Sequence, residues 1–236
     1  YGALDSQTTA HLHGAHITST KQGWAVGDSG TILKRSTSGG IEKLSAPTTA
    51  HLYSMTSAPD GSLLIVGQAG TALHRSTDSP EFTMENTGSA YDLLDVFMNG
   101  DTPMAVGKNG TLAKRTDNQW SLLESPVYVD LHAGHSNGET VLVVGAQGTI
   151  LSWNSSGEMV TEIIDPAAIY FDVIVAEDGS ATLSGWAGRL DSRSKDGEFS
   201  SMTSPTLKSI YAAEHFKNAL LLGGQSHALW HHTGGL

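Results

Sequence analysis

The sequence predicts an all-β chain assembled from six copies of one small antiparallel sheet. Three observations carry that prediction. A short motif returns at nearly constant intervals, apolar runs alternate with turn-forming residues between its copies, and no segment sustains a helical period. The motif is clearest at Trp24-Ala25-Val26-Gly27-Asp28-Ser29-Gly30-Thr31-Ile32-Leu33. It recurs as Val66-Gly67-Gln68-Ala69-Gly70-Thr71, Val106-Gly107-Lys108-Asn109-Gly110-Thr111 and Val144-Gly145-Ala146-Gln147-Gly148-Thr149. Two looser copies follow, Ser184-Gly185-Trp186-Ala187-Gly188-Arg189 and Leu222-Gly223-Gly224-Gln225-Ser226-His227. Aligned on the first glycine, at 27, 67, 107, 145, 185 and 223, the copies are spaced by 40, 40, 38, 40 and 38 residues.

The first repeat shows its elements in order. Ala10–Ile17 reads as a short strand, Gly23–Gly27 as a second, Thr31–Ser36 as a third and Ile41–Leu44 as a weak fourth. Gly, Pro, Ser, Asp and Asn gather at the joins, as turns require. An apolar run, a polar step and a second apolar run describe a hairpin, and both glycines of the motif are expected to supply positive φ there. Ser226 in place of the second glycine predicts a distorted sixth turn.

A four-stranded sheet cannot cover both of its faces alone; repeated radially, each sheet packs on its neighbours, which is the β-propeller solution. We expect a single domain over 1–236 with six blades near 10–49, 50–89, 90–127, 128–167, 168–206 and 207–236. The opening residues 1–9 resemble the fourth-strand segment 41–49, so they are expected to supply the missing outer strand of the last blade and close the ring.

Composition narrows the function classes. Thirteen basic residues against twenty-four acidic give a net charge of −11, which argues against nucleic acid as a partner. With no cysteine there is no disulfide framework, thiolate metal site or cysteine nucleophile. No apolar run approaches the length of a membrane span. No leader-like stretch is visible, and a chain opening on Tyr1 rather than Met is expected to have lost a preceding segment.

The pattern of an apolar-His-Gly-apolar strand, then Gly-Trp-Ala-Val-Gly-Asp-x-Gly-Thr-Ile-Leu, then a Ser/Thr-rich turn resembles the photosystem II stability and assembly factor family of propellers, related to the wider Asp-box (BNR, sialidase-type) repeat group. The likeness spans the chain and is strongest in the first repeat. The Asp-box is approximated at Ser76–Phe82, Thr116–Trp120 and Ser194–Phe199. The resemblance implies a propeller fold, a binding or assembly role, and a periplasmic, lumenal or extracellular location.

Candidate functional residues lie at the repeat borders. The position before the first strand holds His11, His51, Asp92, Asp130, Ile169 and Lys208. On inner strands these would cluster at one mouth of a channel, where His, His, Asp and Asp leave a divalent metal as an alternative to side chains facing water. The hairpin turns vary freely between their glycines, and Asp28, Lys108 and Trp186 would ring the same mouth. A Trp on a short turn is either an anchor for a partner or folded over its own blade. Aspartates of the box-like turns are expected to lock those turns, and histidines such as His13, His16, His132 and His135 to hydrogen-bond between blades. Arg35, Arg75, Arg115 and Arg193 share one repeat position and so disperse instead of converging, which argues against a sialidase-like site.

The sequence therefore points to a monomeric, non-catalytic binding propeller without a cofactor. Its expected partner is a protein segment, recognised through His11, His51, Asp92, Asp130, Lys208, Asp28, Lys108 and Trp186. Carbohydrate recognition is the first alternative, and a sialidase-like or metal-dependent hydrolase the second.

Overall fold

The structure is a computed structural model that describes residues 6, 8–37, 39–153, 157–216, 219–225 and 229–232. Every sheet is an antiparallel meander in chain order. The first holds β1 (Leu12–Ile17), β2 (Gly23–Gly27), β3 (Thr31–Arg35) and β4 (Ile41–Leu44). The second holds β5 (Leu52–Ser57), β6 (Leu63–Gly67), β7 (Thr71–Arg75) and β8 (Thr83–Asn86). The third holds β9 (Leu93–Asn99), β10 (Thr102–Gly107), β11 (Leu112–Thr116) and β12 (Gln119–Leu122). The fourth holds β13 (Leu131–Ser136), β14 (Val141–Gly145), β15 (Thr149–Trp153) and β16 (Met159–Ile163). The fifth holds β17 (Tyr170–Val175), β18 (Ala181–Gly185), β19 (Leu190–Arg193) and β20 (Phe199–Ser201). The sixth holds β21 (Ile210–Phe216), β22 (Ala219–Gly224) and β23 (Leu229–His232) among the described residues. Its proposed fourth strand falls on residues 1–9, most of which lie outside the described residues, as does the turn at Ser226. No helix among the described residues is long and apolar enough to cross a membrane.

By its contacts the chain divides into two compact units, Tyr1–Gly107 with Thr111–Glu124, and Lys108–Gly110 with Ser125–Leu236. In the first, Trp24, Val26 and Ile32 of one sheet pack on Leu52, Met55, Leu63, Ile65 and Leu73 of the next. The opposite face of that second sheet, Leu64, Val66 and Ala72, packs on Leu93, Val96, Ala105, Ala113 and Trp120. The second unit repeats the scheme, with Leu142, Val144 and Ile150 against Tyr170, Val173 and Leu183, then Ile174 and Leu190 against Ile210, Leu220 and Leu222. A strand sandwiched on both faces is buried throughout, as in Leu63–Gly67. Its continuous apolar run follows from that double cover.

The two motif glycines differ in purpose, which corrects the expectation of positive φ at both. Gly27 is extended, at φ −170°. A Cβ there would stand 2.1 Å from the carbonyl oxygen of His11, so close backbone approach excludes any side chain. Positive φ belongs to Ser29 (55°) and Gly30 (68°), with the Thr31 N–H bonded to the Asp28 carbonyl. This is a type I′ reversal, matched to the twist of a hairpin. Ala69, Asn109, Gln147 and Ala187 take the same left-handed conformation as Ser29 in their own turns.

A bulge also recurs one residue into each first strand, where the register skips His13, Tyr53, Leu94, His132, Phe171 and Tyr211. The sixth repeat corrects the sequence alignment. Ile210 pairs with Gly224, as Leu12 pairs with Gly27, so Gly224 and not Gly223 is the equivalent glycine. Adjacent glycines made the alignment ambiguous by one residue.

Candidate functional site

The hairpin turns spend backbone donors on the loops that enter first strands. The N–H of the first turn residue bonds to the carbonyl just before its own first strand: Asp28 to His11, Gln68 to His51, Ala146 to Asp130, Trp186 to Ile169 and Gln225 to Ser209, at 2.8–2.9 Å. In two turns the second N–H reaches a carboxylate of the following repeat, Ala69 to Asp92 Oδ1 at 2.9 Å and Asn109 to Asp130 Oδ1 at 3.0 Å. The Ser29 N–H lies 3.4 Å from His51 Nδ1. The third donates to a carbonyl of the same loop, as Gly30 to Ala50 and Gly110 to Val129.

These bonds place the residues singled out from the sequence. His51, Asp92 and Asp130 each use a side-chain atom to bind the preceding turn. His11 is exposed and contributes its carbonyl to the Asp28 N–H. Lys208 is displaced from the border position by the sixth-repeat register; Ser209 stands there instead, and the exposed Lys208 donates its N–H to Thr206 Oγ1. Lys108 is exposed on its turn. Among the described residues, no three His, Asp or Glu side chains are grouped to hold a metal ion.

Asp28 sits between two histidines, with Oδ1 2.6 Å from His13 Nε2 and 2.9 Å from His51 Nδ1. The His13 hydrogen bond, helped by the charges of His13, His51 and His11, holds the Asp28 carboxyl below its ordinary range. The other histidines do link neighbouring sheets: His16 Nε2 meets Ser57 Oγ at 2.8 Å, His132 Nδ1 meets the Tyr170 carbonyl at 2.6 Å, and His135 Nδ1 accepts the Val175 N–H. In two of the three box-like turns the clamps are the Ser79 and Ser194 hydroxyls, accepting the N–H of Glu81 and Glu198. Aspartates do this work elsewhere, at Asp60 and Asp178 in the loops joining first and second strands.

Trp186 belongs to a different constellation. Its side chain is 58% exposed, so it is not folded into its own sheet. It stands at a cavity of about 340 Å³ lined also by Asp165, Ile169, Arg189, Leu190, Asp191 and Met202. Behind the cavity lies a buried polar cluster. Asp191, 2% exposed, accepts Tyr170 Oη–H on Oδ2 at 2.6 Å, Arg189 Nε–H on the same oxygen, and Ser201 Oγ–H on Oδ1 at 2.8 Å. Arg189 Nη1 reaches on to Asp165 Oδ2 at 2.9 Å, and its guanidinium lies over the Tyr170 ring. Burial, then the Asp191 hydrogen bond, pushes the Tyr170 hydroxyl up, so it stays a neutral donor.

This cluster was readable in the sequence and was missed. Tyr170 occupies the place of Leu12, Leu52, Leu93, Leu131 and Ile210, and Arg189 the place of Thr31, Thr71, Thr111 and Thr149. Asp191 replaces Leu33, Leu73, Ala113 and Leu151. Three neighbouring positions that are small or apolar in other repeats turn polar together in one. The turn carries Trp186, whereas Tyr170 and Asp191, which support the cavity, lie on the strands around it.

No protein-family model and no curated protein matches the chain. Solved structures do. A virginiamycin B lyase from Staphylococcus aureus is similar at TM-score 0.81 and 12% identity, over 96% of this chain and 85% of that one. A streptogramin B lyase is similar at TM-score 0.78 and 14% identity, over 90% and 76%. YCF48 bound to a D1 peptide is similar at TM-score 0.72 and 14% identity, over 93% and 76%. The fold is that of a β-propeller. The expectation that this chain is no enzyme is corrected by the two lyases: the same architecture carries catalysts, so architecture gives no ground for setting catalysis aside.

Proposed function

We propose that this chain is a recognition module that binds a protein segment, with the cavity at Trp186 as its anchor. The carrying observation is an exposed indole at the rim of a cavity whose wall is rebuilt from polar residues in one repeat alone. Exposed aromatics beside a concave surface are the usual anchors of protein recognition. The likeness to YCF48, solved with a peptide, supports the reading. So does the resemblance of the first repeat to the photosystem II assembly factor family, and membership of that family, a single six-bladed domain, a monomeric state and an exported location are parts of the same proposal. Within the same unit, Lys108 and Asp130 are further candidates for recognition, and Asp28, His11, His51 and Asp92 are candidates on the other unit.

Carbohydrate recognition is the second reading, favoured by an exposed Trp186 beside the carboxylate of Asp165, since sugars stack on aromatic faces and bond to carboxylates. One pair of experiments separates the two. A random peptide library displayed on phage is selected on the full chain, and a glycan array is probed with the same protein and with Trp186→Ala. Peptides that bind the native chain and lose binding to Trp186→Ala are expected; glycans bound only by the native chain, with no such peptides, would replace the first reading by the second.

A further inference from the structure

Resting on the reading of the Trp186 cavity as a protein-recognition site, we infer that its occupant is a basic side chain, an arginine or a lysine of the partner segment. The charges set the sign. One guanidinium, Arg189, faces two carboxylates, Asp165 and Asp191, and Tyr170 stays neutral behind them, so the cluster carries a net negative charge of one. Arg189 is occupied by those carboxylates, which leaves it poorly placed to receive an anionic ligand. Asp191 is buried and already accepts three hydrogen bonds. Asp165 differs: its side chain is 41% exposed and lines the cavity. Its Oδ2 accepts from Arg189 and its Oδ1 from the Ala167 N–H, and each carboxylate oxygen has room for a second donor.

Shape agrees with charge. Ile169, Leu190 and Met202 line the cavity with apolar surface, against which the methylene stem of a long basic side chain can lie. Trp186, exposed at the cavity, brings an indole ring of the kind over which a guanidinium or ammonium is held. Arginine fits better than lysine, because a planar guanidinium can stack on the ring while its N–H groups point at Asp165. The whole chain, at −11, attracts the same kind of partner.

The test uses the intact chain labelled with ¹⁵N at tryptophan, the Trp186 indole signal being assigned from Trp186→Phe. N-acetyl-arginine amide is titrated in, with the norleucine and glutamate analogues as comparisons. The expected result is a saturable shift of the Trp186 signal with the arginine probe, absent with norleucine and glutamate, and about tenfold weaker in Asp165→Asn, the loss of one charged contact. The Asn variant keeps the side-chain shape, and an unchanged spectrum elsewhere shows that it is folded. Equal shifts with norleucine or glutamate, or a response indifferent to Asp165→Asn, would overturn the inference. Phage selection separates this failure from that of the parent reading. Trp186-dependent peptides lacking Arg and Lys would sink the basic side chain and keep the protein-binding site, whereas no Trp186-dependent peptide at all would sink both.

Discussion

At the scale of single residues, the repeat is held by two incompatible demands on neighbouring positions. Gly67 must have no side chain, because a Cβ would stand 2.1 Å from the His51 carbonyl oxygen. Gly67→Ala is expected to cost more than about 3 kcal/mol, read as a loss of urea midpoint, because backbone has to move to make room. Two residues on, Ala69 sits at φ 52°, where an L-residue is strained. Ala69→Gly should raise stability by about 1 kcal/mol, and an unchanged or lower thermal midpoint would refute the strain. Trp186→Ala, by contrast, should stay within about 0.5 kcal/mol of the parent, since an exposed side chain removes little core. Histidine adds a pH dependence. Burial lowers the His16 pKa from 6.5, so below that value the unfolded chain binds more protons than the folded one and stability falls as pH drops. Asp28, also depressed, adds a loss of the same sign at more acid pH. Thermal midpoints measured between neutral pH and pH 5 should fall less steeply in His16→Gln.

At the scale of elements, neighbouring sheets are joined by more than apolar contact. Glu85 on β8 receives Arg115 of β11 through two bonds of 2.6 and 2.8 Å, and the Trp120 indole N–H of β12 at 2.8 Å. Arg115 is 9% exposed, so Glu85→Ala strands a buried guanidinium and should cost about 3 kcal/mol by denaturant titration. If Glu85→Ala matches the parent, this clamp contributes nothing. The strands themselves were legible from the chain: β2, β4 and the hairpin glycines of the first five repeats fall where the repeat put them. The roles of His51, Asp92 and Asp130 were not, because the N–H that each one faces lies 21–23 residues earlier, on the preceding turn. Polarity at a repeat border was visible; its target is a product of folding. The same holds for Lys208, displaced by a register that only strand pairing could decide between Gly223 and Gly224.

For the whole molecule, the period identified the architecture and the departures from it mark the candidate site. Function was less legible because a propeller frame is shared by lyases and by a peptide-bound protein alike, so the informative residues are the few that break the repeat. Charge acts at this scale too. With a net charge of −11, association of an arginine-bearing peptide should slow when salt is raised well past the Debye regime, while a neutral peptide's rate stays flat. Stopped-flow rates equal for both peptides would deny any steering. The bonds from Ala69 to Asp92 and from Asn109 to Asp130 have one more consequence. Each of these repeats carries a plug midway, on the turn between its second and third strands, and the next repeat begins with the matching socket, so the joints are directional and interchangeable. Copying or excising the unit between Asp92 and Asp130 leaves both of these plugs matched, whereas cutting within it orphans one, so this pair of joints suits growth by tandem duplication.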